Sequence, residues 1–262
     1  MKDFRKITVV GSGNLAEALT AAVARLDDVR LTVAARNAVR GTELARRCRA
    51  QFTGIDALPA DTELCIIAVS DSAITAVAGS LRLPDTAVVA HTSGATPVDA
   101  LPERFAGRGA LYPFQTFTAG RAVDFAEIPL FIEGSDEAAA LALEAFARRL
   151  SRRVARADSP TRRRIHLAGV FACNFANHMF TIGNRIVGDA GLDFDVLRPL
   201  IAETAAKALA ASDPAAVQTG PAVRGDTESQ RRHMDLLAGA APDLSEIYNL
   251  ISKNIWETSK KI

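Results

Sequence analysis

Apolar and polar positions change rhythm twice along the chain. In the first half, short runs of β-branched and other apolar residues read as buried strands: Ile7 to Val10, Leu31 to Ala35, Cys65 to Val69, Ala87 to Ala90, Ala110 to Tyr112 and Leu130 to Ile132. Between them, apolar residues recur at three- and four-residue spacing from Leu15 to Leu26, Arg40 to Arg49, Ser72 to Leu81 and Asp136 to Leu150. Alternation of strand and helix buries a parallel sheet between two helical layers. Beyond Pro160 the strand signal stops, and Gly191, Pro214, Gly220, Pro221, Gly225 and Pro242 punctuate helical stretches. The pattern predicts an α/β domain with a mostly parallel, doubly wound sheet over 1–157, then an all-α domain over 158–262.

The 262 residues, 48% hydrophobic and 23% charged, suit two globular domains. A net charge of +1 removes the global basic field that a nucleic-acid binder displays. Its one local exception is "RRLSRRVARADSPTRRR", from Arg148 to Arg164, which reads either as a patch for a polyanion or as a solvated hinge between the domains; the hinge is favoured because the run carries no aromatic residue for base stacking. Cys48, Cys65 and Cys173 have no metal-ligand spacing and suit a reducing compartment. The opening MKDFRK turns charged where a secretory leader turns apolar, and no apolar run reaches the roughly 20 residues of a membrane span. The expectation is a cytoplasmic protein with a small-molecule substrate, no nucleic-acid partner and no membrane.

The first strand meets the first helix at "GSGNLA". This GxGxxA spacing, placed between strand and helix, is the dinucleotide-binding fingerprint of the Rossmann fold. Gly11 permits the tight turn, Gly13 lets backbone approach a pyrophosphate, and Ala16 keeps helix and strand close. Gly11, Ser12, Gly13, Asn14 and Leu15 are therefore expected to hold the cofactor, with helix amides facing phosphate. After the second strand an NAD site normally places an acid; here stand Ala35, Arg36 and Asn37. A guanidinium pairs well with a 2′-phosphate, so NADP is expected over NAD, with Arg36 and Asn37 beside it and Arg40 in support. Val69, Ser70 and Asp71 end the "CIIAVSDSAI" strand at the edge where such sheets hold ligands, although Asp71 also suits a helix cap. "VVAHTSGATP" releases His91, Thr92, Ser93 and Gly94 there, with Ser93 assigned to the cofactor and His91 either relaying a proton or satisfying backbone groups. "ALYPFQTF" brings Tyr112, Pro113, Gln115 and Thr116 to the same rim; that loop is expected to wall the substrate pocket, with Gln115 assigned to the substrate.

From Pro160 to Gly191 a period of about 100° per residue gathers Ala168, Phe171, Ala172, Phe175, Ala176, Met179, Ile182 and Ile186 on one side. The other side collects Arg163, His166, Asn174, Asn177, His178, Thr181, Asn184 and Arg185. Asn and His are poor helix formers, so their use in place of Glu and Lys points to a ligand-facing surface or to a polar helix contact. His166 and His178 stand too far apart on a helix rising about 1.5 Å per residue to share a metal, and none is expected. The working assignment gives proton transfer to His178 or His91, substrate orientation to Asn174, and substrate contact to Gln115, His166 and Arg224. Arg224, in "QTGPAVRGD", would offset substrate charge; the same stretch also reads as a plain loop capped by Asp226.

"GSGNLA", "HTSG", "YPFQTF", "IHLAGVFACNFANH", "LIAET" and "QTGPAVRGD" together resemble a bacterial family of Rossmann-like proteins with a C-terminal helical domain of unknown function, labelled as NADP oxidoreductases. More distantly the layout is similar to pyrroline-5-carboxylate reductases and to the 6-phosphogluconate and β-hydroxyacid dehydrogenases. That resemblance implies a helical domain like the C-terminal one of 6-phosphogluconate dehydrogenase, and a homodimer. The β-hydroxyacid dehydrogenases place a lysine four residues before an asparagine on the first long helix; here Val170 precedes Asn174. The implied activity is NADP-dependent hydride transfer to or from a carbonyl or imine carbon of a small anionic metabolite. The competing reading, which draws on the missing lysine and the undecided proton donor, is a sensor or scaffold in which NADP stabilises a dimer without turnover.

Overall fold

The computed structural model describes residues 3–261. The chain forms two compact units, 1–176 and 177–262. The first is built on an eight-stranded sheet of β1 (Lys6–Val10), β2 (Arg30–Ala34), β3 (Gln51–Thr53), β4 (Leu64–Ile67), β5 (Val88–His91), β6 (Gly107–Pro113), β7 (Leu130–Gly134) and β8 (Val154–Arg156). Their order is β3-β2-β1-β4-β5-β6-β7-β8. Only the β6 and β7 pair is antiparallel, with Leu111 opposite Ile132; the other neighbours run parallel. The chain therefore winds outward from β1 in one direction and from β4 in the other, and the connections part between these two strands.

Strand parity builds both faces. Ile7, Val9, Leu64 and Ile66 pack with Leu19 and Val23 of α1 (Asn14–Val23) and with Leu143 and Phe146 of α4 (Glu137–Leu150). Val10, Cys65, Ile67 and Val89 point the other way, onto Ile74, Val77 and Ala78 of α3 (Ile74–Ser80). Val33 meets Leu44 and Ala45 of α2 (Ala38–Arg47). Both layers are apolar because a parallel sheet is covered on both faces.

The arginine run behaves differently from the expected hinge. It ends α4, forms edge strand β8 and opens α5 (Ser159–Gly169). Arg149 pairs with Asp3 and Asp28, Arg152 and Arg153 with Glu127, and Arg156 with Glu137 and Glu144. Arg162 is fully buried. The domain boundary expected at 157/158 falls between β8 and α5, whereas the compact units divide after Ala176. A second difference concerns the long helix. A π-helical segment, Val170–Phe175, separates α5 from α6 (Ala176–Asp189). Each π turn takes in an extra residue, so the two faces drawn at a uniform period do not stay aligned across it. Phe171 and Phe175, placed on the apolar side by that period, are 63% and 48% exposed.

The second unit contains α6, α7 (Arg198–Ala210), α8 (Thr227–Ala240) and α9 (Ser245–Ser259). Leu237, Ala241 and Leu244 form its buried cluster, with Ile182, Met234, Ile247 and Tyr248 packed around them. Among the described residues no helix is long and apolar enough to cross a membrane.

Candidate functional site

Because β1, β2, β4, β5 and β6 run parallel, their carboxyl ends share one edge of the sheet. At the end of β1, Gly11 has φ +137 and its amide donates to the Ala34 carbonyl at 2.8 Å. A Cβ there would stand 2.2 Å from the Ala68 carbonyl oxygen and 3.3 Å from the Ala16 Cβ, so the sheet itself demands glycine. Gly13 is different. Its φ is an ordinary −83, and a Cβ would meet nothing within 4 Å. It caps α1 with no side-chain bond to the first amides, so the helix start is open. Asn14, exposed beside it, donates from Nδ2 to the Phe117 carbonyl at 3.0 Å, while Ser12 and Leu15 are half-buried.

At the end of β2, Arg36 and Arg40 are exposed and have no ion-pair partner among the described residues. Asn37 caps α2, its Oδ1 accepting from the Arg40 amide at 3.0 Å. At the end of β4, Val69 is half-buried and Ser70 and Asp71 are exposed. Asp71 opens a single 3-10 turn and makes no capping bond, so the cap that its position suggested does not form.

The ends of β5 and β6 are joined by one face of α5. His91 is fully buried, and its Nδ1 accepts from the Ser93 amide at 3.2 Å, which leaves the ring proton on Nε2. Among the described residues Nε2 meets no partner at hydrogen-bond geometry, while the Pro97 carbonyl acts in the direction of the charged ring, behind burial and the Arg162 charge. Burial, reinforced by the Arg162 charge, pulls the His91 pKa down to about 4. Ser93 Oγ accepts from the Ala95 and Thr96 amides at 3.1 and 2.9 Å. Arg162 holds this loop from α5: its Nε donates to the Ser93 carbonyl at 3.0 Å, and its other nitrogens donate to the Thr96 carbonyl and the Glu133 carboxylate. One turn on, His166 Nδ1 lies 3.2 Å from the Tyr112 hydroxyl. A Cβ on Gly94 would come within 2.6 Å of Tyr112 Cζ and 2.8 Å of His166 Cβ, so only glycine lets these three meet. Gly169 continues the face against the Phe114 ring. Burial pushes the Tyr112 pKa up to about 12, the Asp71 charge acting in the same direction and Arg162 against it.

The first unit thus brings Gly11, Ser12, Gly13, Asn14, Leu15, Arg36, Asn37, Val69, Ser70, Asp71, His91 and Ser93 to one edge. Gln115 is exposed there, its Oε1 accepting from the Thr116 amide at 2.9 Å, and Asn174 is exposed on the π segment. In the second unit His178 is exposed on α6, and Arg224 is exposed in a turn whose Gly220 has φ +111. That turn precedes α8, which Asp226 caps by accepting from the Ser229 amide at 3.0 Å. Thr219, Gly220 and Pro221 wall an apolar cavity of about 350 Å³ within the helical unit. The sequence placed Tyr112 on the loop expected to wall the substrate pocket but gave it no part in proton transfer, and it counted Arg162 among solvated arginines. A signal was available: Arg162, His166 and Gly169 stand at i, i+4 and i+7, one helical face.

Fold and site together define a Rossmann-type α/β protein carrying a helical C-terminal unit. Residues 2–114 match the Rossmann-like domain family, and residues 128–255 match the domain of unknown function DUF2520. A candidate NADP oxidoreductase from Bacteroides fragilis is 36% identical, with 97% of this chain and 98% of that one covered and a TM-score of 0.86. The chain belongs to this family, in which a Rossmann-like domain is joined to DUF2520. Two more distant structures share the fold. A reductive aminase from Aspergillus terreus, in complex with NADPH and ethyl-5-oxohexanoate, is 15% identical over 99% of this chain and 95% of its own, with a TM-score of 0.71. A 1-pyrroline-5-carboxylate reductase from Streptococcus pyogenes is 11% identical over 98% of both chains, with a TM-score of 0.62. No curated protein matches the chain in sequence.

Proposed function

We propose that the carboxyl edge of the first unit binds NADP and that the protein is an oxidoreductase, moving hydride to or from a carbonyl or imine carbon of a small anionic metabolite. One contrast carries the cofactor assignment. Gly11 is required by the sheet, whereas nothing in the chain requires Gly13. The space beside Gly13 and the open amides of α1 suit a diphosphate, which a side chain there would displace. Arg36, exposed and unpaired, suits a 2′-phosphate, with Arg40 beside it. Val69, Ser70, Asp71 and Ser93 border the remaining length of the edge. The Bacteroides relative is named for NADP, and the reductive aminase holds NADPH, which supports a nicotinamide cofactor here. When bound, that cofactor supplies or takes the hydride.

Calorimetry tests the binding half: NADPH is expected to bind at least roughly tenfold more tightly than NADH, about 1.4 kcal/mol, and Arg36→Ala to close that gap. No heat with either coenzyme would refute it. Mixing protein and NADPH with pools of keto acids, cyclic imines and aldehydes, while following the reduced coenzyme's absorbance, tests turnover. Tight binding without oxidation in every pool favours the sensor instead.

A further inference from the structure

Adding hydride to the carbon of a C=O or a neutral C=N leaves an anionic oxygen or nitrogen that must take up one proton, and a positioned acid side chain speeds that transfer. On the sheet edge His91 is badly placed to give one, since its ring, the Nε2 proton included, is fully buried and closed to solvent. Tyr112 is better placed. It lies at the carboxyl end of β6, half-buried, with its hydroxyl 3.2 Å from Nδ1 of a His166 that is itself partly open to solvent. Gly94 is held at the point where a methyl group would push the two side chains apart. The rings of Phe114 and Phe131 flank the tyrosine at 6.1 and 6.5 Å.

We propose that the Tyr112 hydroxyl is the proton donor of the reduction and that His166 positions it and restores its proton. This rests on the oxidoreductase reading above. The substrate carbon accepts hydride from the reduced nicotinamide, the π pair of C=N or C=O moves onto the heteroatom, and that atom takes the proton from Tyr112 Oη. The tyrosinate recovers a proton from His166 Nδ1 while His166 Nε2 takes one from solvent, so the ring stays neutral and the proton added to the substrate comes in the end from bulk water. One hydride and one proton are added in all. A hydroxyl whose ionisation is pushed to about 12 remains protonated through neutral pH and serves as an acid. The charged neighbours that tune it are Asp71, after β4, and Arg162, on the same helix as His166.

The test compares Tyr112→Phe, His166→Ala and His166→Asn with the parent protein, measuring NADPH affinity, turnover on the most active imine or carbonyl pool, and ¹⁵N shifts of the His166 ring without coenzyme. Tyr112→Phe is expected to lower kcat at least ~100-fold, within the range for a general acid, while NADPH affinity stays within about twofold. His166→Asn keeps a hydrogen-bonding group near the Nδ1 position but no relay, so its kcat falls between the parent and His166→Ala. The ¹⁵N shifts report which ring nitrogen carries the proton, and they should change in Tyr112→Phe. Should Tyr112→Phe fail to fold, the two His166 variants decide. Parent-like kcat in Tyr112→Phe overturns the proton-donor assignment, and parent-like kcat in both His166 variants overturns the relay; either way the oxidoreductase reading stands. A parent that binds NADPH but reduces no pool overturns both, and one that binds no coenzyme refutes the cofactor site.

Discussion

Two glycines two residues apart do different physical work. Gly11→Ala forces φ +137 on a residue with a Cβ and drives that atom into the Ala68 carbonyl. The cost is roughly 2–4 kcal/mol, and thermal melting should fall by roughly 5–10 °C. Gly13→Ala keeps an allowed backbone, and losing a glycine cap is offset by a stiffer unfolded chain. Its stability should stay within about 1 kcal/mol of the parent while NADPH affinity drops at least ~10-fold. Paired melts and coenzyme titrations check this; unchanged affinity in Gly13→Ala would remove the phosphate cradle. His91 makes a separate prediction. Its folded pKa, about 4, lies below the unfolded value near 6.5, so on acidification the unfolded chain takes the proton first. The stabilisation from a neutral His91 is complete above about pH 6.5 and fades as pH falls through that window toward 4, on the order of 3 kcal/mol in all. Urea unfolding at pH 7.5 and 4.5 should show a smaller loss in His91→Gln than in the parent. Equal losses would mean that the ring is not held neutral.

At the scale of elements, sequence pattern located the central strands because burial on both faces leaves unbroken apolar runs such as Leu64 to Ile67. It missed β3 and β8, which are three-residue edge strands; β8 reads Val-Ala-Arg inside an arginine run. Edge strands answer to one neighbour and to solvent, so no pattern marks them. The long helix was legible as helix but not as three segments. A π turn depends on what the surrounding side chains pack against, and six residues of it shift the faces that a fixed period assigns. The clustering of Arg162, His166 and Gly169 is likewise a property of α5 seated on the β5 and β6 loops. Arg162 makes the point sharply. An arginine among arginines is solvated by default, and this one is buried because two loop carbonyls and Glu133 receive its donors.

At the scale of the molecule, the helices of the second unit present some apolar positions to no neighbouring helix of that unit. Neither α6 nor α7 has a fully buried residue, and on α7 Leu200 and Leu209 are 63% and 87% exposed. Long helices with bare apolar positions are stable when another surface meets them, and a second copy of the chain is the partner that the family resemblance implies. Sedimentation is expected to give about twice the 27.8 kDa chain mass, with Leu200→Glu moved toward the single-chain value. A monomeric parent would contradict this. By itself the sequence determined the six central strands and the helices between them, the glycine turn and the change to an all-helical second half, because local periodicity and backbone sterics are written residue by residue. Only the tertiary structure decided that His91 is enclosed and neutral, that Arg162 is buried, and that Tyr112 meets His166 against Gly94. Those facts depend on which distant groups displace water from one another, and no stretch of chain encodes that alone.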